Sequence, residues 1–266
     1  LPDGSCSAHS CTPDSCLHEP DTTLVTDGQT GCPRCRNFTG QPAEAFACLA
    51  DLGTQGCGFE QPLEAMLQAL ENDYQNSGFL RNGSVLSVVF VTDEDDCSAS
   101  NANRLFDPSP ALDRMGSELG FLDSFRCFEF GVTCDIDDRS VSGPRRSCAP
   151  RDDEAALLHP LSRYTEFLLG LRYPGLLLVS AVAGDPAEGV VVTTDLSGRP
   201  SLQNICTEGS TGQGVIPAVR IHSLVSGFNE PDELESWAFG SLCEERFGDL
   251  MVGMGTRIRE RLIDIY

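Results

Sequence analysis

Two short apolar runs constrain this chain more than anything else in it. Residues 85–91 read VLSVVFV and residues 176–183 read LLLVSAVA. Neither alternates with polar residues, so neither has a solvent face. Each has the length of a strand and is short for a buried helix. Strands that are apolar on both sides belong to parallel sheets with helices on both faces. Helical stripes flank them as that arrangement requires. Leu63, Met66, Leu67, Leu70 and Tyr74 follow Pro62, and Asn76-Ser77-Gly78 closes the stripe. Leu161, Tyr164, Phe167, Leu168 and Leu171 form a second stripe, and Ile221, Leu224, Val225 and Phe228 a third after Pro217. A last one carries Met251, Met254, Ile258, Leu262 and Ile265. A shorter helix is predicted over residues 42–52, with Ala43, Phe46, Ala47 and Ala50 on one side and Gly53 as its stop. Residues 190–194 and 201–206, joined by Asp195-Leu196-Ser197-Gly198-Arg199, read as a hairpin.

Alternating buried strands and helices predict an α/β fold, a doubly wound and mainly parallel sheet of Rossmann-like layering. Such sheets have about five or six strands, and only two are clear here. The remainder is expected upstream of Leu1. Residues 1–41 are rich in Pro, Gly, Asp, Thr and Cys and lack apolar periodicity, so they read as a disulfide-stapled, loop-rich segment. Residues 42–266 read as the α/β domain, interrupted at about 97–150 by a loop-rich insertion holding four cysteines.

The 13 cysteines are too many for a reducing cytosol and place the chain in the periplasm, at the cell surface or outside the cell. Cys32-Pro33-Arg34-Cys35 has neither the strand before it nor the helix after it that a redox motif needs, so disulfides are the reading there. The groups along the chain suggest Cys48–Cys57 across a Gly-rich turn and Cys206–Cys243 near the end. Cys97, Cys127, Cys134 and Cys148 pair among themselves in one of three ways. Five cysteines in the first segment leave one without a partner, which suggests a fragment.

The 40 acidic and 18 basic residues give a net charge of −22, a field that repels nucleic-acid phosphates. All 18 basic residues are Arg, so no P-loop lysine, Schiff-base lysine or Ser–Lys pair exists. No apolar run approaches the ~18 residues that read as a membrane span. No Gly-x-Ser-x-Gly is present, and His9, His18, His159 and His222 have no nucleophile motif around them. Immediately after the first buried strand stands Thr92-Asp93-Glu94-Asp95-Asp96. The carboxyl ends of strands are where α/β sheets place their ligand sites, and clustered carboxylates suit hard cations.

Three stretches resemble the von Willebrand factor A (vWA) family, in particular secreted vWA-like proteins of myxobacteria and related deltaproteobacteria. They are FACLADLGTQGCGFEQPLEAMLQAL (46–70), GFLRNGSVLSVVFVTDEDDCSA (78–99) and SFRCFEFGVTC (124–134). The resemblance implies a doubly wound sheet with a metal-ion-dependent adhesion site at its top. It assigns Asp93 to the family's Asp after a later strand, with Asp95 beside it. Glu60, or Thr54 six residues earlier, falls where the family places a Thr before a helix. The family's first-strand Asp-x-Ser-x-Ser is absent from its expected place. Asp96-Cys97-Ser98-Ala99-Ser100 matches it by letters but follows the strand at the wrong distance. The implied function is a secreted or surface-anchored binding and adhesion module, lipoprotein included and not an enzyme. Mg²⁺ or Ca²⁺ would bridge it to a protein or cell-surface ligand. The alternatives are a metal-assisted hydrolase, with Asp93 and Asp95 on the metal and Glu60 activating water, and a structural surface domain without a cation.

Overall fold

The computed structural model describes residues 42–50, 56, 58–71, 79–80, 83–207, 214–233, 237–244 and 247–265. The chain divides into two compact units, Leu1–Cys57 and Gly58–Tyr266. In the first, helix α1 (Pro42–Ala50) is described, with Phe46 72% exposed. Cys48 is disulfide-bonded. Its expected partner Cys57, the readings made for residues 1–41, and Thr54 lie outside the described residues.

The second unit is mixed α/β. It begins with α2 (Pro62–Glu71) and β1 (Leu86–Val91), followed by α3 (Ala102–Leu105), α4 (Phe125–Gly131), β2 (Val132–Thr133), β3 (Gly143–Arg145) and β4 (Ala149–Pro150). Then come α5 (Leu161–Leu171), β5 (Leu177–Ala183), β6 (Val190–Thr194), β7 (Pro200–Leu202), β8 (Cys206–Thr207) and β9 (Gly214–Val215). The order ends with α6 (Val219–Ser226), α7 (Pro231–Glu233), β10 (Phe239–Ser241) and α8 (Phe247–Ile265).

The two apolar runs are neighbours, paired in parallel from Leu86 opposite Leu177 to Val91 opposite Val182. β10 adds a third parallel strand on the other side of β5, Phe239 opposite Ala181. All seven residues of β5 are buried, so its two faces are both covered, as its unbroken apolar sequence demands. Leu63 and Leu67 from α2, Tyr164 and Leu168 from α5, and Ile221, Leu224 and Val225 from α6 share one core with Leu177, Val179 and Ala181. β10 escaped the sequence reading because three residues carry no periodicity. Its Gly240 has a packing reason: a Cβ there would stand 1.9 Å from Leu250 Cδ2 of α8. The expected hairpin is present as β6 and β7, antiparallel, with β3 on its far side.

The insertion is held by disulfides and guanidinium groups. Cys97 pairs with Cys127 and Cys134 with Cys148, one of the three arrangements open in sequence, and Cys206 pairs with Cys243 as expected. Cys97 and Cys127 lie in a second small core with Leu105, Leu119, Leu157 and Leu158. Arg126 is 1% exposed and spends its guanidinium on five main-chain carbonyls. Nε donates to Phe121 (2.8 Å), Nη1 to Leu105 (2.7 Å) and Asp107 (3.3 Å), and Nη2 to Leu112 (3.1 Å) and Gly120 (3.0 Å). Arg145 does the same for Gly143, Asp138 and Val141, and Arg151 for Glu129 and Val132. Backbone carbonyls that no sheet satisfies are thus satisfied by planar forks of N–H donors, a geometry that Lys does not offer.

Candidate functional site

The main chain itself frames the carboxyl end of the sheet. Thr92 N extends the β1–β5 ladder to Val182 O (3.1 Å), and Thr92 Oγ1 then bonds both the N–H and the C=O of Glu94, turning the chain. Ile216 N donates to Asp93 O (3.0 Å) and Ala218 N to Gly184 O (2.8 Å). Residues 216–218 therefore cross the ends of β1 and β5. Gly184 permits this, since a Cβ there would meet Ile216 O at 1.9 Å. The crossing delivers the N-terminus of α6 directly to the acidic turn.

The turn then divides. Asp95 is consumed by main-chain donors: Arg220 N at 2.9 Å, Ile221 N at 3.2 Å and Asp96 N at 2.8 Å. It caps the first turn of α6 from a distant part of the chain, where negative charge is favoured. Burial nevertheless lifts its carboxyl to about 6, against the pull of the Arg220 N–H and guanidinium. Asp96 is 1% exposed and faces Arg220, also 1% exposed. Its Oδ2 accepts from Arg220 Nε (3.2 Å) and Nη2 (3.1 Å), and its Oδ1 from Ser98 Oγ (2.5 Å) and Leu63 N (3.2 Å). Ser98 Oγ in turn accepts from Glu64 N at 2.9 Å. Asp96 and Ser98 together cap α2. The letter match Asp96-x-Ser98 is thus a buried helix cap.

The Asp93 and Glu94 side chains take no part in these bonds. Asp93 is partly exposed and, among the described residues, its carboxylate has no hydrogen bond or ion pair. Glu94 is pushed up to about 7, first by burial and then by the charges of Asp93 and Glu60. Glu60 is exposed and its carbonyl accepts from Cys97 N at 2.7 Å. Of the four candidate ligands, Asp93 and Glu60 therefore share an electrostatic neighbourhood, Asp95 is spent on α6, and Thr54 is outside the described residues. Among the described residues, no group of three His, Cys, Asp or Glu side chains is placed to hold a metal ion.

Arg220, Ser98 and the crossing at Ile216 were missed by sequence reasoning. A signal existed for Arg220: it lies four residues before Leu224 and one before Ile221, on the apolar side of α6. No match to this chain is found among family models, curated proteins or solved structures.

Proposed function

We propose that this chain is a secreted or cell-surface binding module of the vWA kind and not an enzyme. Its three-stranded parallel sheet would be part of a doubly wound sheet. The contact surface is the acidic rim at the carboxyl end of that sheet, and the partner is a protein or cell-surface ligand. One observation carries the reading: half-buried Glu94 feels the charges of both Asp93 and Glu60, and none of the three carboxylates has an ion pair with an Arg among the described residues. An uncompensated group of carboxylates at a strand end is costly unless something cationic meets it. Mg²⁺ or Ca²⁺ enters this reading as an ion shared between Asp93 and oxygens contributed from elsewhere, a ligand carboxylate included. Three disulfides among the described residues fit an oxidising compartment. No helix among them is long and apolar enough to cross a membrane.

Calorimetric titration of the full chain with CaCl₂ and MgCl₂ tests the cation. Heat in the wild type that is lost in Asp93→Ala supports the reading, and equal heat in both removes Asp93 from the site. A second reading, a surface domain that takes no cation, draws on the consumption of Asp95 and Asp96 inside the fold. Absent heat in the wild type favours it.

A further inference from the structure

A cation is already present at the inner half of the turn, and it is a side chain. The Arg220 guanidinium touches oxygen from three places. It contacts the Asp96 carboxylate after β1 through Nε and Nη2, Gly131 O at the end of α4 through Nη1 (3.4 Å), and His159 O before α5 through Nη2 (2.8 Å). The ion pair itself is out of water, with Arg220 and Asp96 at 1% and 0% side-chain exposure. Around it the chain makes room: a Cβ on Gly131 would lie 3.1 Å from Arg220 Cδ and 2.3 Å from Leu158 Cδ1. One charged and two neutral oxygen donors, converging from separate elements in a dry site, resemble the shell that a hard metal ion collects. Here every Asp96 lone pair in that shell faces an N–H or O–H, so a metal would have to displace the guanidinium. A guanidinium stays protonated at any physiological pH and matches a carboxylate with two donors.

We propose that Arg220 is the built-in cation of this domain. It performs at the inner half of the acidic turn the neutralising and element-joining task that a divalent metal performs in a metal centre. The joint between β1, α2, α4 and α6 is therefore independent of metal. Any exchangeable cation is confined to the outer half at Asp93 and Glu94, and this last point alone rests on the proposed function.

The test uses melting temperatures of the full chain in an Asp93→Asn background, which disables the outer half. With Arg220 intact, the melting temperature is expected to be the same in EDTA and in millimolar Ca²⁺ or Mg²⁺. A rise with either ion would overturn the proposal. Arg220→Gln, which keeps hydrogen bonding and loses the charge, is expected to melt well below Arg220→Lys, which keeps a cation. Equal melting of the two would remove the cationic role. In Arg220→Ala, millimolar guanidinium is expected to raise the melting temperature, whereas it leaves the parent unchanged or lowers it. The same response in both proteins counts against the proposal. Should Arg220→Ala fail to fold, the Lys and Gln pair decides alone. A wild type that shows no Ca²⁺ heat would sink the cation reading at Asp93 and leave all these comparisons standing.

Discussion

Arg126→Lys puts the guanidinium scaffold of the insertion to a quantitative test. The substitution keeps the charge and most of the length but replaces a planar fork of five N–H donors by one ammonium with three. Five carbonyls depend on that fork, and they are not equally exposed to its loss. Phe121 O also accepts from Asp123 N and Leu112 O from Ser117 Oγ, whose single proton is thereby spent, and Asp107 O is only half-buried. Leu105 O and Gly120 O are buried and keep no second donor among the described residues, and Leu105 closes α3 with its carbonyl pointing along the helix dipole. Leaving a buried acceptor without a partner costs about 1–3 kcal/mol, so two of them cost about 2–6 kcal/mol if Lys reaches neither. One ammonium at the position of Nη1 can keep one of the two, which lowers the expectation for Arg126→Lys to about 1–3 kcal/mol. Arg126→Met is expected to reach the full range. Urea denaturation gives the global figure, and hydrogen exchange should place the new mobility at residues 105–121, with the sheet unaffected. The reasoning fails if both variants lie within experimental error of wild type, or if exchange rises uniformly across the unit.

Three further expectations follow from the same geometry. Glu129 pairs with Arg139 at 2.7 Å and is 16% exposed, yet burial pushes its carboxyl up to about 7. Because the folded value is raised, the fold holds a proton that the unfolded chain releases from about 4.5 upward, and stability from this group is lost as pH rises through 4.5 to 7. Glu129→Gln should match wild type at pH ~4 and exceed it at pH ~8 by up to roughly 3 kcal/mol, at about 1.4 kcal/mol per tenfold change in proton affinity; an advantage that shrinks with rising pH would show the sign to be wrong. Ser98→Ala removes a buried hydroxyl that bonds Asp96 and caps α2, and should cost about 1–3 kcal/mol by chemical denaturation; a loss under about half a kcal/mol would mean that water takes its place. Replacing Cys206 and Cys243 by Ser opens a link of sequence separation 37, which chain entropy values at about 4 kcal/mol; reduction-insensitive melting would contradict that figure.

Continuous apolar runs made the two long strands legible in the sequence, though not how far each is buried. β5 is covered on both faces, as its unbroken apolar run predicts, but β1 is covered on one: Leu86 and Phe90 are buried while Val89 and Val91 are exposed, so its apolar run overstated its burial. β10 has three residues, and Gly240 within it reflects the approach of α8, a tertiary fact with no local sequence signature. The acidic turn was correctly placed at a strand end, because that position follows from chain order. Its division into a buried half and an outward half was not legible. It depends on Arg220, 124 residues away in sequence, reaching Asp96, and on Ile216 pairing with Asp93. The middle cysteines illustrate the same limit: spacing permits three pairings, and the packing of Cys97 and Cys127 against Leu105 and Leu158 selects one.

The parallel pairing of β1 with β5 has a kinetic consequence. Leu86 meets Leu177, so roughly ninety residues must be gathered before the first rung of the sheet forms. Pairings this distant in sequence are slow, because loop closure is spent before any contact rewards it. Cys97–Cys127 and Cys134–Cys148 both lie within that span and shorten it by sequence separations of 30 and 14. Closure entropy grows only with the logarithm of length, so the two shortcuts together are worth about 0.6 kcal/mol, less than a threefold change in rate. Oxidation of the insertion should therefore harden it locally while leaving the nucleation of the sheet nearly as slow as in the reduced chain. During that interval VLSVVFV waits without its partner strand, an aggregation-prone segment in the folding compartment, followed immediately by the four carboxylates of residues 93–96 as charged gatekeepers.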